Sequence, residues 1–237
     1  MKQTTRLGVI YLIFFAFMIV VNYLSTTNVG SVANQEQALI QPAGFAFSIW
    51  GFIYLLLFIW ILRIFFVNRW NADIYTRVGY WLPANFLLNG MWIIAFTQEW
   101  LLLSVIIIVG LLLTLIVIYF KINRLDFRWF DRIPFSIYLG WVSVATIVNI
   151  FAWLVQRDVT TFLGLGEVPW TIIMLLVGTL LAVIIALAYR DIFYPLVFVW
   201  AYAAIFAENS MTGILIVTAI CIVIQLAVAL FVLIKRR

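Results

Sequence analysis

The feature that most constrains this chain is the run from Leu101 to Phe120, "LLLSVIIIVGLLLTLIVIYF", which contains no charged residue. A helix needs about 20 predominantly apolar residues to cross a hydrocarbon core of about 30 Å. Hydrocarbon offers no hydrogen-bonding partner, so the backbone must satisfy itself within helices or in a closed barrel. Barrel strands alternate in polarity, whereas this run is continuous and so selects a helix. Punctuating the chain at charges, Pro, Gly and Asn predicts eight such helices, over residues 7–24, 45–67, 79–97, 100–120, 133–155, 169–189, 192–207 and 211–234. A chain with 67% hydrophobic and 10% charged residues agrees, since soluble domains carry about a quarter charged residues. The fold class expected is an all-α integral membrane protein, a bundle of about eight transmembrane helices in a single membrane domain over residues 1–237.

The first run follows Lys2 and Arg6 as a signal sequence would, yet it is long enough to span and is kept as a helix. Charge then sets direction. With the N-terminus inside, Lys2, Arg6, Arg63, Arg69, Arg77, Lys121, Arg124, Arg128, Arg132, Arg190, Lys235, Arg236 and Arg237 all fall on the cytoplasmic side, and Arg157 alone falls outside. Acidic residues divide evenly, with Asp73, Asp126, Asp131 and Asp191 inside and Glu36, Glu99, Asp158, Glu167 and Glu208 outside, as expected when Lys and Arg govern orientation. The segment 192–207 is the shortest, but dropping it would send "IKRR" outside. The net charge of +5 therefore reports topology, and no nucleic-acid partner is expected. The placement is a cell membrane, with both termini cytoplasmic.

Histidine is absent and Cys221 is the sole cysteine, which excludes intramolecular disulfides, Cys/His zinc clusters, axial His ligation and His-based triads. No metal site and no cofactor are expected. Ser48, Ser143 and Cys221 have no neighbouring base in the sequence, so nucleophilic catalysis has no support. Arg63 lies near the cytoplasmic boundary, where it could snorkel. Gln225, deep in the last helix, reads as one side of an interhelical hydrogen bond, Cys221 as a small buried hydrophobe, and the adjacent Arg190 and Asp191 as boundary charges or an ion pair.

Several residues exceed what a membrane requires. Trp70, Trp81, Trp100, Trp129 and Trp170 lie near predicted helix ends, where indole rings favour the headgroup region. Three helices carry a different pattern. Asn85, Asn89, Trp92 and Phe96 fall at i, i+4, i+7 and i+11, a single stripe on the third helix. Tyr138, Trp141, Ala145 and Asn149 line the fifth helix, and Phe47, Trp50, Tyr54 and Ile61 the second. One asparagine in hydrocarbon is commonly a link between helices. Three stripes joining large aromatics to amides or hydroxyls read instead as the lining of a cavity for a flat, mostly apolar ligand with a few polar handles.

These stripes resemble the TspO/MBR family, the tryptophan-rich sensory or translocator proteins. Its proline, tryptophan eight residues later and tyrosine four further on are matched by Pro42, Trp50 and Tyr54 in "PAGFAFSIWGFIY". Its third-helix pattern is matched by Asn89, Trp92 and Phe96, and W-V-S-x-A-x-x-x-N by Trp141, Val142, Ser143, Ala145 and Asn149, preceded by Pro134. The family's second loop proline and its tryptophan are missing, Ala43 and Gly44 standing in their place with the aromatics shifted to Phe45 and Phe47. The resemblance covers residues 7–155 as a TspO-like five-helix core and leaves 169–234 as a three-helix extension. It implies a pocket under the first loop for porphyrins or other hydrophobic molecules. Carried over by position, Trp50, Asn89, Trp92, Phe96, Trp141 and Ala145 would line it with Pro42 shaping its lid; the stripes add Tyr54, Asn85, Tyr138 and Asn149 as ligand contacts, and the shifted Phe45 and Phe47 as lid. The function expected is a membrane ligand-binding or sensory protein for a tetrapyrrole-like molecule; the alternative is a small multi-pass transporter of a hydrophobic metabolite. The expected partners are that small molecule, the lipid bilayer and a second copy in a homodimer.

Overall fold

The computed structural model describes residues 2–33, 38–66, 73–125, 129–159 and 161–235. Among them are nine α-helices: α1 (Lys2–Ala33), α2 (Ile49–Arg63), α3 (Asp73–Val78), α4 (Trp81–Thr97), α5 (Leu101–Asn123), α6 (Trp129–Gln156), α7 (Glu167–Tyr189), α8 (Phe193–Glu208) and α9 (Thr212–Ile234). Every predicted span has its helix. Six segments are long and apolar enough to cross a membrane, while α8, at 16 residues, is a shorter apolar helix. Their outward faces carry Ile106, Leu113, Leu180, Val223 and Leu230, all more than half exposed, a surface that lipid covers and water would not tolerate.

The differences from expectation are local. α1 runs past residue 24. Residues Gly44–Ser48 form a 3-10 turn, so the regular second helix starts at Ile49 and not at residue 45. The six-residue α3 lies where the sequence offers too few apolar residues to signal a helix. A two-residue hairpin pairs β1 (Thr161–Phe162) with β2 (Leu165–Gly166), turning at Leu163 and Gly164, both at positive φ. Glu36, Arg69, Trp70, Asp126, Arg128, Arg236 and Arg237 lie outside the described residues.

The chain packs as two compact units, one of Met1–Val32 and Trp50–Leu139, the other of Ala33–Ile49 and Gly140–Arg237. This division follows packing, whereas the residue 7–155 core was drawn from motifs. In the first unit, Phe15 of α1 stacks on Phe58 of α2 at 5.8 Å and meets Phe86 of α4 edge-on at 5.6 Å. Gly90 lets α1 come close, because a Cβ there would lie 3.0 Å from the Phe17 ring. At one end of this unit the fully buried Trp60 packs on Tyr75 at 4.4 Å and on Phe135 at 5.0 Å. The Tyr75 hydroxyl donates to the Trp60 carbonyl, and Tyr11 donates to the carbonyls of Tyr75 and Gly79. Burial is the main cause that pushes the Tyr75 phenol up to about 12, with the Arg63 guanidinium opposing and the Asp131 carboxylate adding to it. Arg63 does not snorkel freely: its guanidinium pairs with Asp131 at 2.8 Å and lies 5.2 Å from the Phe130 ring centroid.

In the second unit, α7, α8 and α9 pack closely where side chains are small. A Cβ on Gly178 of α7 would lie 2.5 Å from the Tyr202 hydroxyl and 3.1 Å from Phe198, both on α8. Gln225 of α9 donates to the Thr179 hydroxyl of α7 at 3.2 Å, the interhelical link its position implied. Cys221 is fully buried. Asp191 is buried too, and its carboxylate accepts from the backbone N–H groups of Phe193 and Tyr194. It thus caps the start of α8, a role beyond that of a boundary charge.

Candidate functional site

The first unit gathers a polar hub inside a ring of aromatics. Asn89 on α4 is fully buried. Its amide nitrogen donates to the Tyr138 hydroxyl on α6 at 2.9 Å, and its oxygen accepts from the Asn22 amide on α1 at 2.9 Å. Tyr54 on α2 donates to the Asn22 oxygen at 2.9 Å. Four helices therefore meet at two asparagines, which satisfies amides that hydrocarbon would otherwise leave unpaired. Around the hub, Trp50 lies 5.6 Å from Tyr54, 5.7 Å from Trp92 and 5.9 Å from Tyr138, ring centroid to ring centroid. Phe96 extends the line at 5.8 Å from Trp92. These separations fall in the range of attractive aromatic contacts.

Six of the expected ligand residues, Trp50, Tyr54, Asn89, Trp92, Phe96 and Tyr138, thus form one cluster. Asn85 belongs to a different contact: one turn before Asn89, its amide donates to the Thr114 hydroxyl of α5 at 2.9 Å. The expected residues Trp141, Ala145 and Asn149, with Pro42, Phe45 and Phe47, belong to the second unit. There Phe47 meets the buried Trp141 edge-on at 5.9 Å, and Ser143 shares a hydrogen bond with Tyr194 of α8 at 3.0 Å.

The second unit also shows what holds the loop proposed as a lid. Ala43 N–H donates to the Ala204 carbonyl at 3.1 Å, the Trp200 indole donates to the Ala46 carbonyl at 3.1 Å, and Phe45 packs edge-on against Trp200 at 5.4 Å. Both backbone polar groups of Leu39 are held, its N–H donating to Glu167 at 2.6 Å and its carbonyl accepting from the Asn209 amide at 2.6 Å. Of the three C-terminal helices, for which the sequence offered no role, α7 and α8 together with the Asn209 turn thus anchor residues 39–46.

Sequence reasoning missed Asn22. The signal was present, since Asn22 interrupts "MIVVNYL" inside an apolar span, and an amide at that depth must find a partner. The roles of Glu167, Trp200 and Asn209 had no such signal, because their partners lie more than 120 residues away.

A helical chain whose long apolar helices expose aliphatic faces and bury an amide–aromatic hub is a multi-pass membrane protein. A family model described as TSPO-like protein matches residues 8–234, nearly the whole chain, and the protein belongs to that family. The match takes in the C-terminal helices as well as the five-helix segment that carries the motifs. No curated protein and no solved structure matches it.

Proposed function

We propose that this protein is a membrane sensory or ligand-binding protein whose amide–aromatic cluster in the first unit receives a flat, largely apolar molecule of the tetrapyrrole class. The observation that carries this reading is the coupling of Asn89 to Asn22, Tyr54 and Tyr138 beside Trp50, whose ring packs on those of Tyr54, Tyr138 and Trp92. Interhelical glue alone needs one amide pair and no indoles. Indole and phenol faces offer offset stacking to a planar ligand. The Tyr138 hydroxyl accepts from Asn89 and keeps its own proton to donate, which provides one of the few polar handles such a ligand needs. The protein lies in the cell membrane with both termini cytoplasmic, as the distribution of Lys and Arg favours.

The test is a titration of protoporphyrin into the purified protein in detergent, followed by tryptophan emission. Saturable quenching is expected, with affinity weakened about tenfold or more in Trp50→Ala/Trp92→Ala, since each aromatic pair contributes about 0.5–1.5 kcal/mol beyond its buried area. Unquenched emission, or quenching with the same affinity in the double variant, overturns the reading.

A further inference from the structure

A second site lies entirely within the second unit. Between the C-terminal half of α6 and the start of α7 is a cavity of about 160 Å³, lined by Ile150, Phe151 and Leu154 of α6, by Glu167, Trp170 and Met174 of α7, and roofed by the hairpin. Residues 147, 150, 151, 154 and 155 fall at i, i+3, i+4, i+7 and i+8 on α6, and 167, 170 and 174 at i, i+3 and i+7 on α7, so one face of each helix looks into the space. The Trp170 indole is held in place by donating to the Phe162 carbonyl of the hairpin at 2.8 Å, with the two rings 5.6 Å apart.

The cavity's chemistry is unequal. Eleven of its twelve lining residues carry no charge, and Glu167 is the exception. One Glu167 oxygen accepts from the Leu39 N–H. Its other oxygen has no partner among the described residues, nor does Glu167 take part in an ion pair there. Glu167 is partly exposed at the edge of this apolar space, and its charge favours an occupant that brings a positive charge and N–H donors. The space is open on one side, where Val159, Phe162 and Leu165 are exposed, and its volume is of the order that accommodates one benzene ring. A tetrapyrrole macrocycle is several times too large for this space, and its acidic side chains would meet a like charge. The geometry points to a binding site for a small monocationic aromatic amine, its ring between the α6 face and Trp170 and its ammonium on Glu167. This site shares no residue with the amide–aromatic cluster of the first unit.

The probe is benzylammonium, with benzyl alcohol as its neutral counterpart, titrated calorimetrically into the full-length protein in nanodiscs of zwitterionic lipid. The wild type should bind benzylammonium at least about tenfold more tightly than benzyl alcohol, the scale of a hydrogen bond to a charged group. Glu167→Gln keeps an acceptor for Leu39 and removes the charge; it should erase the preference while leaving benzyl alcohol binding within twofold. Ile150→Trp fills the cavity and should abolish both. Met174→Trp fills it from the opposite helix and replaces Ile150→Trp should that variant fail to fold. No measurable binding, equal affinity for the two probes, an undiminished preference in Glu167→Gln, or binding that survives both filling variants would each overturn the site. Trp50→Phe/Trp92→Phe, which keeps a ring at each position, separates it from the porphyrin reading, because amine binding should persist there even if porphyrin binding is weakened; loss of amine binding in that variant refutes the assignment.

Discussion

The two units solve the same packing problem differently. In the first, the face of α4 that carries Asn89 and Trp92 meets indole and phenol rings from α2 and α6, with ring centroids 5.6 to 5.9 Å apart across the cluster. In the second, α6 and α7 turn mostly aliphatic faces toward each other and leave about 160 Å³ open beside one carboxylate. Rings joined to a buried amide set a geometry that few alternatives satisfy. Aliphatic faces set only a spacing, which the hairpin of residues 161–166 roofs without filling. The contrast teaches that the Asn89 amide of the first unit is occupied by its neighbours at both ends, whereas the one carboxylate lining the second unit's cavity has an oxygen with no partner among the described residues.

Truncation and filling should therefore have opposite signs in the two units. The largest effect is expected for Trp92→Ala, which removes a buried indole from the aromatic cluster and should destabilise the protein by about 3–5 kcal/mol, read as a lowered midpoint of SDS-induced unfolding in mixed micelles. Asn89→Leu comes next. It removes the donor to the Tyr138 hydroxyl and the acceptor of one Asn22 amide bond, at a cost of about 1–3 kcal/mol; a loss below about 0.5 kcal/mol would mean that the hub relaxes onto other partners and that the first unit is less specified than its geometry implies. In the second unit, Val155→Phe adds a ring to open space and should stabilise by about 0.5–2 kcal/mol. Destabilisation by that substitution would break the comparison outright.

The smallest effect sharpens it at the end of the first unit. Burial pushes the Tyr75 phenol up to about 12, above the ordinary phenol value of 10.0. The folded protein therefore disfavours its phenolate, and the contribution of Tyr75 to stability is fully present below pH 10, declining as pH rises through 12. Subtracting the alkaline absorbance titration of Tyr75→Phe from that of wild type should isolate one phenol ionising near pH 12. A difference curve centred near pH 10 would mean that Tyr75 is hydrated.

Much of the fold was legible along the chain because it depends on local quantities. Apolar length identified each spanning segment, and helical spacing placed Asn89, Trp92 and Phe96 on one face of α4. The same spacing put Asn85 on that stripe, yet Asn85 turns to Thr114 of α5 instead. A stripe spans an arc wide enough to touch two neighbours, and spacing cannot say which neighbour stands where. The boundary at residue 45 was misread for a related reason: apolar composition continues through Gly44–Ser48, while the 3-10 geometry there accompanies bonds to Ala204 and Trp200.

By itself, then, the sequence determined that this is a multi-pass helical membrane protein of the TSPO-like family, and which helix faces carry aromatic and amide groups. Those properties follow from hydrocarbon thickness, backbone satisfaction and the helical repeat, all of which act within a single segment. Only the tertiary structure decided that Asn22 completes the Asn89 hub, that the C-terminal helices hold the loop of residues 39–46, and that a cavity with a single carboxylate lies between α6 and α7. Each of these depends on which distant backbone stands within hydrogen-bond or van der Waals reach, a quantity that no local pattern of residue types records.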